Sequence, residues 1–216
     1  MAPRQEKLET AVLHLRQDKV LRRVIDAVGP FRLRLERDRF RMLARSIISQ
    51  QISTAAARSI RGRLEALTAP AGITPASIVS LDETQLRSVG LSARKAVFIR
   101  DLAAKVHAEE IALSHLGRMQ DEAVIADLVQ IRGIGRWTAQ MFLIFSLGRL
   151  DVFPEDDLGV RAAIRNLYAL AELPDKQTAR DIAARWRPYA SVASWYCWRS
   201  LELKKSLPPD GRRYPV

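Results

Sequence analysis

Two apolar stripes meet across a turn too short to be anything but a helix–helix corner. Leu128, Val129 and Ile131 close the first stripe, and Thr138, Ala139, Met141, Phe142, Ile144 and Phe145 open the second at helical spacing. The run IRGIGR between them supplies a tight turn, so the segment reads as a helix-hairpin-helix. Gly133 and Gly135 have no Cβ, which lets such a turn adopt positive φ and bring backbone N–H groups close to a ligand at the next helix N-terminus. An anionic oxygen fits there. An ordinary αα-corner with a glycine turn carries the same pattern, and the turn by itself does not choose between them.

The rest of the chain repeats the helical period and contains no convincing alternating strand, which predicts an all-α protein. Helices are expected over Lys7 to Val28, Arg39 to Ser49, Thr54 to Leu67, Leu81 to Ser88, Ala93 to Glu110, Asp121 to Ile131, Arg136 to Leu147, Leu158 to Leu170, Lys176 to Trp186 and Tyr189 to Lys204. Ser53, Ser92 and Asp175 stand where N-caps belong, and Gly29–Pro30, Pro188 and Pro208–Pro209 punctuate stops. No repeat or flexible linker divides the 216 residues. The expectation is one module of two helical lobes with an active-site cleft between them. One lobe spans about residues 39–147 with the hairpin at 128–145, the other about 1–38 plus 148–207, and 208–216 form a basic tail.

Charge narrows the partner. A formal net charge of +11 favours a polyanion, and the positive residues are densest in FRLRLERDRFRMLAR and in the tail. Each run also reads as a solvated, salt-laced helix face. With no long apolar run and no secretory leader, membrane insertion and export are not expected, and the protein is placed in the cytoplasm, with the nucleoid if bacterial. Cys197 is the only cysteine, which excludes an intramolecular disulfide framework, a four-cysteine zinc site and a protein-ligated iron–sulfur cluster. Flanked by Tyr196 and Trp198, it reads as core, not as a nucleophile. The three histidines have no metal-ligand spacing, so a catalytic transition metal is not expected.

GIGRWTA followed by DVFPEDDLGVR resembles the hairpin, Gly/Pro-rich loop and aspartate of the HhH-GPD DNA glycosylase superfamily, in its AlkA-type 3-methyladenine DNA glycosylase II branch. IISQQIS near Ile47 to Ser53 resembles the family's duplex-probing segment, and WRPYASVASWYCW from Trp186 its C-terminal aromatic helix; the likeness runs from about residue 20 to about 203. A larger bacterial enzyme of the branch carries an added N-terminal domain, whereas this chain is expected to begin at the helical catalytic part. The resemblance implies a monofunctional glycosylase that flips an alkylated purine, such as 3-methyladenine or 7-methylguanine, out of duplex DNA and hydrolyses its N-glycosidic bond. The alternatives are a non-catalytic damage-binding module and a glycosylase for a deaminated, oxidised or mismatched base. The expected partner is double-stranded DNA bearing a damaged base, engaged by a monomer with no membrane and no required cofactor.

The same resemblance implies the site. Asp157, followed by apolar Val160 and basic Arg161, fits the catalytic aspartate, and Asp156 becomes a supporting or capping residue. A plain helix cap is the competing reading of Asp157. Trp137 stands where lyase-competent members carry a lysine; an indole forms no Schiff base, so the nucleophile is expected to be water. Trp137 then lines the base pocket or lies in the core beneath the hairpin. Trp195 and Tyr196 align with the branch's base-stacking pair, and Met141 replaces a family tyrosine in the substrate pocket. Gln50 and Gln51 sit where the family contacts DNA, Gln51 as the wedge; a polar loop that caps the next helix is the alternative. Arg132, Gly133, Gly135, Arg136 and Thr138 are expected to hold a phosphate, and the main-chain oxygens of Val129, Ile131 and Ile134 a structural Na+ or K+.

Overall fold

Capping chemistry sets where the helices begin. Ser53, Ser92 and Asp175 each accept a hydrogen bond from the backbone three residues on, as expected for N-caps. Asp18 does the same where no boundary was expected: its Oδ1 accepts from Val20 N at 2.8 Å and Leu21 N at 3.3 Å. It divides the single helix expected over Lys7 to Val28 in two. The computed structural model describes residues 3–206, so the tail expected at 208–216 lies outside the described residues.

In chain order the helices are α1 (Pro3–Leu15), α2 (Lys19–Val28), α3 (Arg39–Ser49), α4 (Thr54–Leu67), α5 (Pro75–Val79), α6 (Glu83–Ser88), α7 (Ala93–His107), α8 (Asp121–Leu128), α9 (Arg136–Phe145), α10 (Leu158–Leu167), α11 (Lys176–Ala183) and α12 (Ala190–Ser206). No strand occurs among the described residues, and none of the helices described is long and apolar enough to cross a membrane. The five-residue α5 was not expected, because one turn of helix is too short to show a period.

The chain forms two compact units, Met1–Leu33 with Arg149–Val216, and Arg34–Gly148. Residues 34–38, expected with the terminal segments, belong to the second because Glu36 N donates to Phe145 O at 2.9 Å and Ser146 Oγ donates to Glu36 O at 2.9 Å.

In the unit that includes both chain ends, α12 is the central element, packed by α1, α2 and α10. Its core includes Leu15, Leu21, Ile164, Trp186, Val192, Tyr196 and Cys197, all buried. Burial pushes the Cys197 thiol far above its ordinary range, which keeps it inert and fits the expectation of a packed core residue. Beside this core, Tyr168 donates to Asp18 Oδ2 and accepts from Trp186 Nε1 at 3.2 Å, linking the α2 cap to the end of α10 and to the 3-10 turn that follows α11. In the other unit, α7 packs against α3, α5 and α6, and α9 against α8 and α3. That arrangement buries Leu43, Ile47, Leu64, Ile99, Leu128 and Phe142 and fixes both arms of the hairpin.

Tyr168→Phe would leave the Trp186 N–H without its acceptor and remove the Tyr168 hydroxyl from Asp18 Oδ2. Urea denaturation should show a loss of about 1–3 kcal/mol. Stability equal to wild type would mean that the network contributes nothing.

Candidate active site

The hairpin departs from expectation in one instructive way. Only Gly133 uses positive φ (83°); Gly135 sits at φ −97°, ψ 175° as the N-cap of α9. Gly133 is also sterically obligatory, because an added Cβ would lie 2.1 Å from Cδ2 of Phe98 on α7. At Gly135 an added Cβ meets nothing within 4 Å, and glycine there leaves an exposed, uncovered backbone. Asp101 secures the first arm: its Oδ2 accepts from Arg132 N at 2.9 Å, and Lys105 bridges it to Gln130 O. Burial raises the Asp101 carboxyl, but Lys105 and the Arg132 N–H outweigh it and hold the group below its ordinary value.

Other hairpin residues divide between outside and inside. The Arg132 side chain is exposed, and Arg136 is exposed but paired through both guanidinium nitrogens with Glu122. Thr138, expected to hold a phosphate, is only 5% exposed. Trp137 is 43% exposed, which corrects the alternative of a core tryptophan, while Met141, one turn further on, is buried at 7%. Of the carbonyls expected to face a cation, that of Ile131 accepts from Ile134 N at 3.0 Å.

The two glutamines have different jobs. Gln51 is exposed in the left-handed region at φ 56°. Gln50, expected at DNA, donates through Nε2 to Gly133 O at 2.8 Å, so it is a strut between the α3 turn and the hairpin. Lys95 completes the brace by donating to Ile48 O at 2.7 Å and Gln50 O at 2.6 Å, and its desolvation lowers the ammonium pKa. Ser53, two residues on, caps α4.

Asp157 lies in the unit containing both chain ends. It is 8% exposed and N-caps α10, with Oδ1 accepting from Val160 N at 2.7 Å. The capping bond also fixes the position of this enclosed carboxylate. The preceding loop is braced along its length. Asp151 accepts from Arg187 Nε at 3.0 Å and Ala190 N at 3.2 Å, Glu155 pairs with Arg180, and Asp156 pairs with Lys176. Asp156 is thus an anchor for the loop and does not cap α10.

On α12, Trp195 is half-buried, with its ring edge-on to Phe31 at 5.0 Å and the Arg199 guanidinium 5.8 Å from its centroid. Tyr196 is 0% exposed and donates from its hydroxyl to Gly29 O at 3.1 Å. Adjacent helical residues point about 100° apart, so the pair cannot present both rings to one base, and Tyr196 is a core residue. The second aromatic residue on the Trp195 side is Trp198, one turn on, whose Nε1 donates to Asp157 Oδ1 at 2.9 Å. Sequence reasoning missed Trp198, Lys95 and Phe98. For Trp198 the i, i+3 spacing from Trp195 was the available signal; for Lys95 and Phe98, which act through backbone atoms distant in sequence, there was none.

Residues 44–188 match the HhH-GPD superfamily base excision DNA repair protein, and the chain belongs to that superfamily. It is 33% identical over 208 residues to DNA-3-methyladenine glycosylase 1 of Schizosaccharomyces pombe, covering 94% of this chain and 91% of the relative. The putative DNA-3-methyladenine glycosylase YfjP of Bacillus subtilis is 40% identical over 128 residues, which span 59% of this chain and 45% of that protein. In structure the chain is similar to the S. pombe 3-methyladenine DNA glycosylase Mag1 in complex with abasic DNA, with a TM-score of 0.83 at 33% identity, covering 92% of this chain and all of that one.

Gly133→Ala should lower unfolding free energy by about 2–4 kcal/mol, through both the left-handed backbone and the Phe98 contact. Gly135→Ala should stay within about 1 kcal/mol of wild type. Equal losses for the two variants in thermal or urea denaturation would contradict this assignment.

Proposed function

We propose that the protein is a monofunctional DNA glycosylase that releases alkylated purines, such as 3-methyladenine and 7-methylguanine, from duplex DNA. The observation that carries the reading is Asp157, enclosed and hydrogen-bonded at the start of α10 in a chain of this superfamily. Its support extends to the similarity with an S. pombe enzyme whose structure is a complex with abasic DNA.

The chemistry follows from charge. As the C1′–N bond breaks, its electron pair leaves with the base and positive charge builds on the deoxyribose. An ionised aspartate in a desolvated position stabilises that charge or orients the incoming water, whose oxygen bonds to C1′ and whose proton is lost. A purine made cationic by alkylation leaves without prior protonation, so no second carboxylic acid is needed. Trp195 supplies an aromatic face for such a base. Cation–π attraction there would add about 1–2 kcal/mol for a desolvated cationic purine over a neutral one. Trp137 occupies the place of the lyase lysine, and an indole cannot attack the sugar, so the product is an abasic site in an unbroken strand.

DNA holding falls to the other unit. Exposed Gly135 and the α9 N-terminus take a phosphate oxygen, Arg132 adds a cation, and Gln51 enters the duplex where the flipped base was. The carbonyls of Val129, Ile131 and Ile134 form an all-oxygen donor set suited to Na+ or K+. Ile131 O keeps a second lone pair beside its bond from Ile134 N.

Randomly methylated duplex DNA incubated with the protein should yield free methylpurines, with strand breaks appearing only after alkali and no covalent adduct under borohydride. Tight binding without base release would replace this reading with a non-catalytic damage-binding module. A borohydride-trapped adduct would identify an amine nucleophile.

A further inference from the structure

We propose that Trp198 is a positioning residue for Asp157, fixing the direction of its carboxylate through an indole N–H bond. The inference rests on the reading of Asp157 as the catalytic aspartate and extends it to a residue on a different helix.

Two donors converge on one oxygen. Val160 N reaches Asp157 Oδ1 at 2.7 Å from the first turn of α10, and Trp198 Nε1 reaches the same atom at 2.9 Å from α12. The backbone bond alone leaves the carboxylate able to pivot about Oδ1. A second donor from another helix removes that freedom and sets the plane of the group, so the charge has a fixed direction before DNA arrives.

Gly159 makes the approach possible. A Cβ there would stand 3.1 Å from Asp157 Oδ1, 3.2 Å from Trp198 Cδ1 and 3.4 Å from Trp198 Nε1. Those distances are tighter than ordinary contact to both partners at once, so any side chain at this position would have to push the indole and the carboxylate apart. The glycine is not there for backbone freedom, since an α-helical φ suits any residue; its role is to leave space. The start of α12 is held as well, because Ser191 N donates to Leu150 O at 2.9 Å and Val152 N to Ser191 Oγ at 2.9 Å. Loop, α10 and α12 therefore deliver the three residues together. Half-buried Trp198 thus does work at its N–H edge that a packing residue would not need.

The test separates orientation from folding and from DNA binding. Trp198→Phe keeps the ring and deletes the donor, and Gly159→Ala keeps the donor and crowds it away. Each should slow single-turnover release of 7-methylguanine on the order of 10- to 100-fold while leaving the Kd for abasic-site duplex within about twofold of wild type. Thermal denaturation identifies a variant that has not folded, and the other variant then carries the test. A folded Trp198→Phe that releases base at the wild-type rate overturns the proposal, as does a loss confined to Kd. Asp157→Asn is run alongside: its releasing base as fast as wild type would defeat the underlying reading of Asp157. Slow Asp157→Asn with fast Trp198→Phe would defeat only the role given to Trp198.

Discussion

The hydrogen bond from Val160 N to Asp157 Oδ1 decides two things at once: where α10 begins and where a carboxylate is held. A helix N-terminus has N–H groups without intrahelical acceptors, and an aspartate there is stabilised by them and by the helix dipole. That local stabilisation offsets part of the cost of enclosing an ionised group with only 8% exposure. The indole of Trp198 adds a second hydrogen bond to the same oxygen. The loop before Asp157 is tied down through Asp151, Glu155 and Asp156, each paired with a basic residue nearer the C-terminus. Such exposed pairs contribute little stability singly, but together they restrict where the loop can go.

In the Arg34–Gly148 unit, the same economy of parts holds the hairpin turn. Gly133 lies against Phe98, Arg132 N is tied to Asp101, and Gln50 links the hairpin to the turn that presents Gln51. Lys95 holds that turn by two backbone carbonyls. Partly buried side chains thus keep the backbone of the turn in place.

Much of this was legible before any coordinates. The helical period gave the class, and Ser53, Ser92 and Asp175 marked true helix starts because a cap is a local interaction between residues three apart. Asp157 stands at the helix start, and Asp156 is paired to Lys176. Less legible was which way a side chain points: Tyr196 and Thr138, expected at ligand, are enclosed, and Gln50, expected at DNA, reaches Gly133. Direction depends on partners such as Gly29 O and Gly133 O that lie far away in sequence. The same holds for Gly135, whose glycine serves open access and not positive φ.

The central claim is that the enclosed carboxylate of Asp157 acts on the breaking bond and is not merely a helix cap. Asn keeps an oxygen that can cap α10 and removes the charge, so Asp157→Asn isolates the electrostatic role. Mass analysis of free bases released from methylated duplex DNA by the two proteins, at matched occupancy on abasic-site DNA, measures that role. The account predicts methylpurine release by wild type and a rate at least about 100-fold lower for Asp157→Asn, with binding retained. Equal release by both proteins would contradict it.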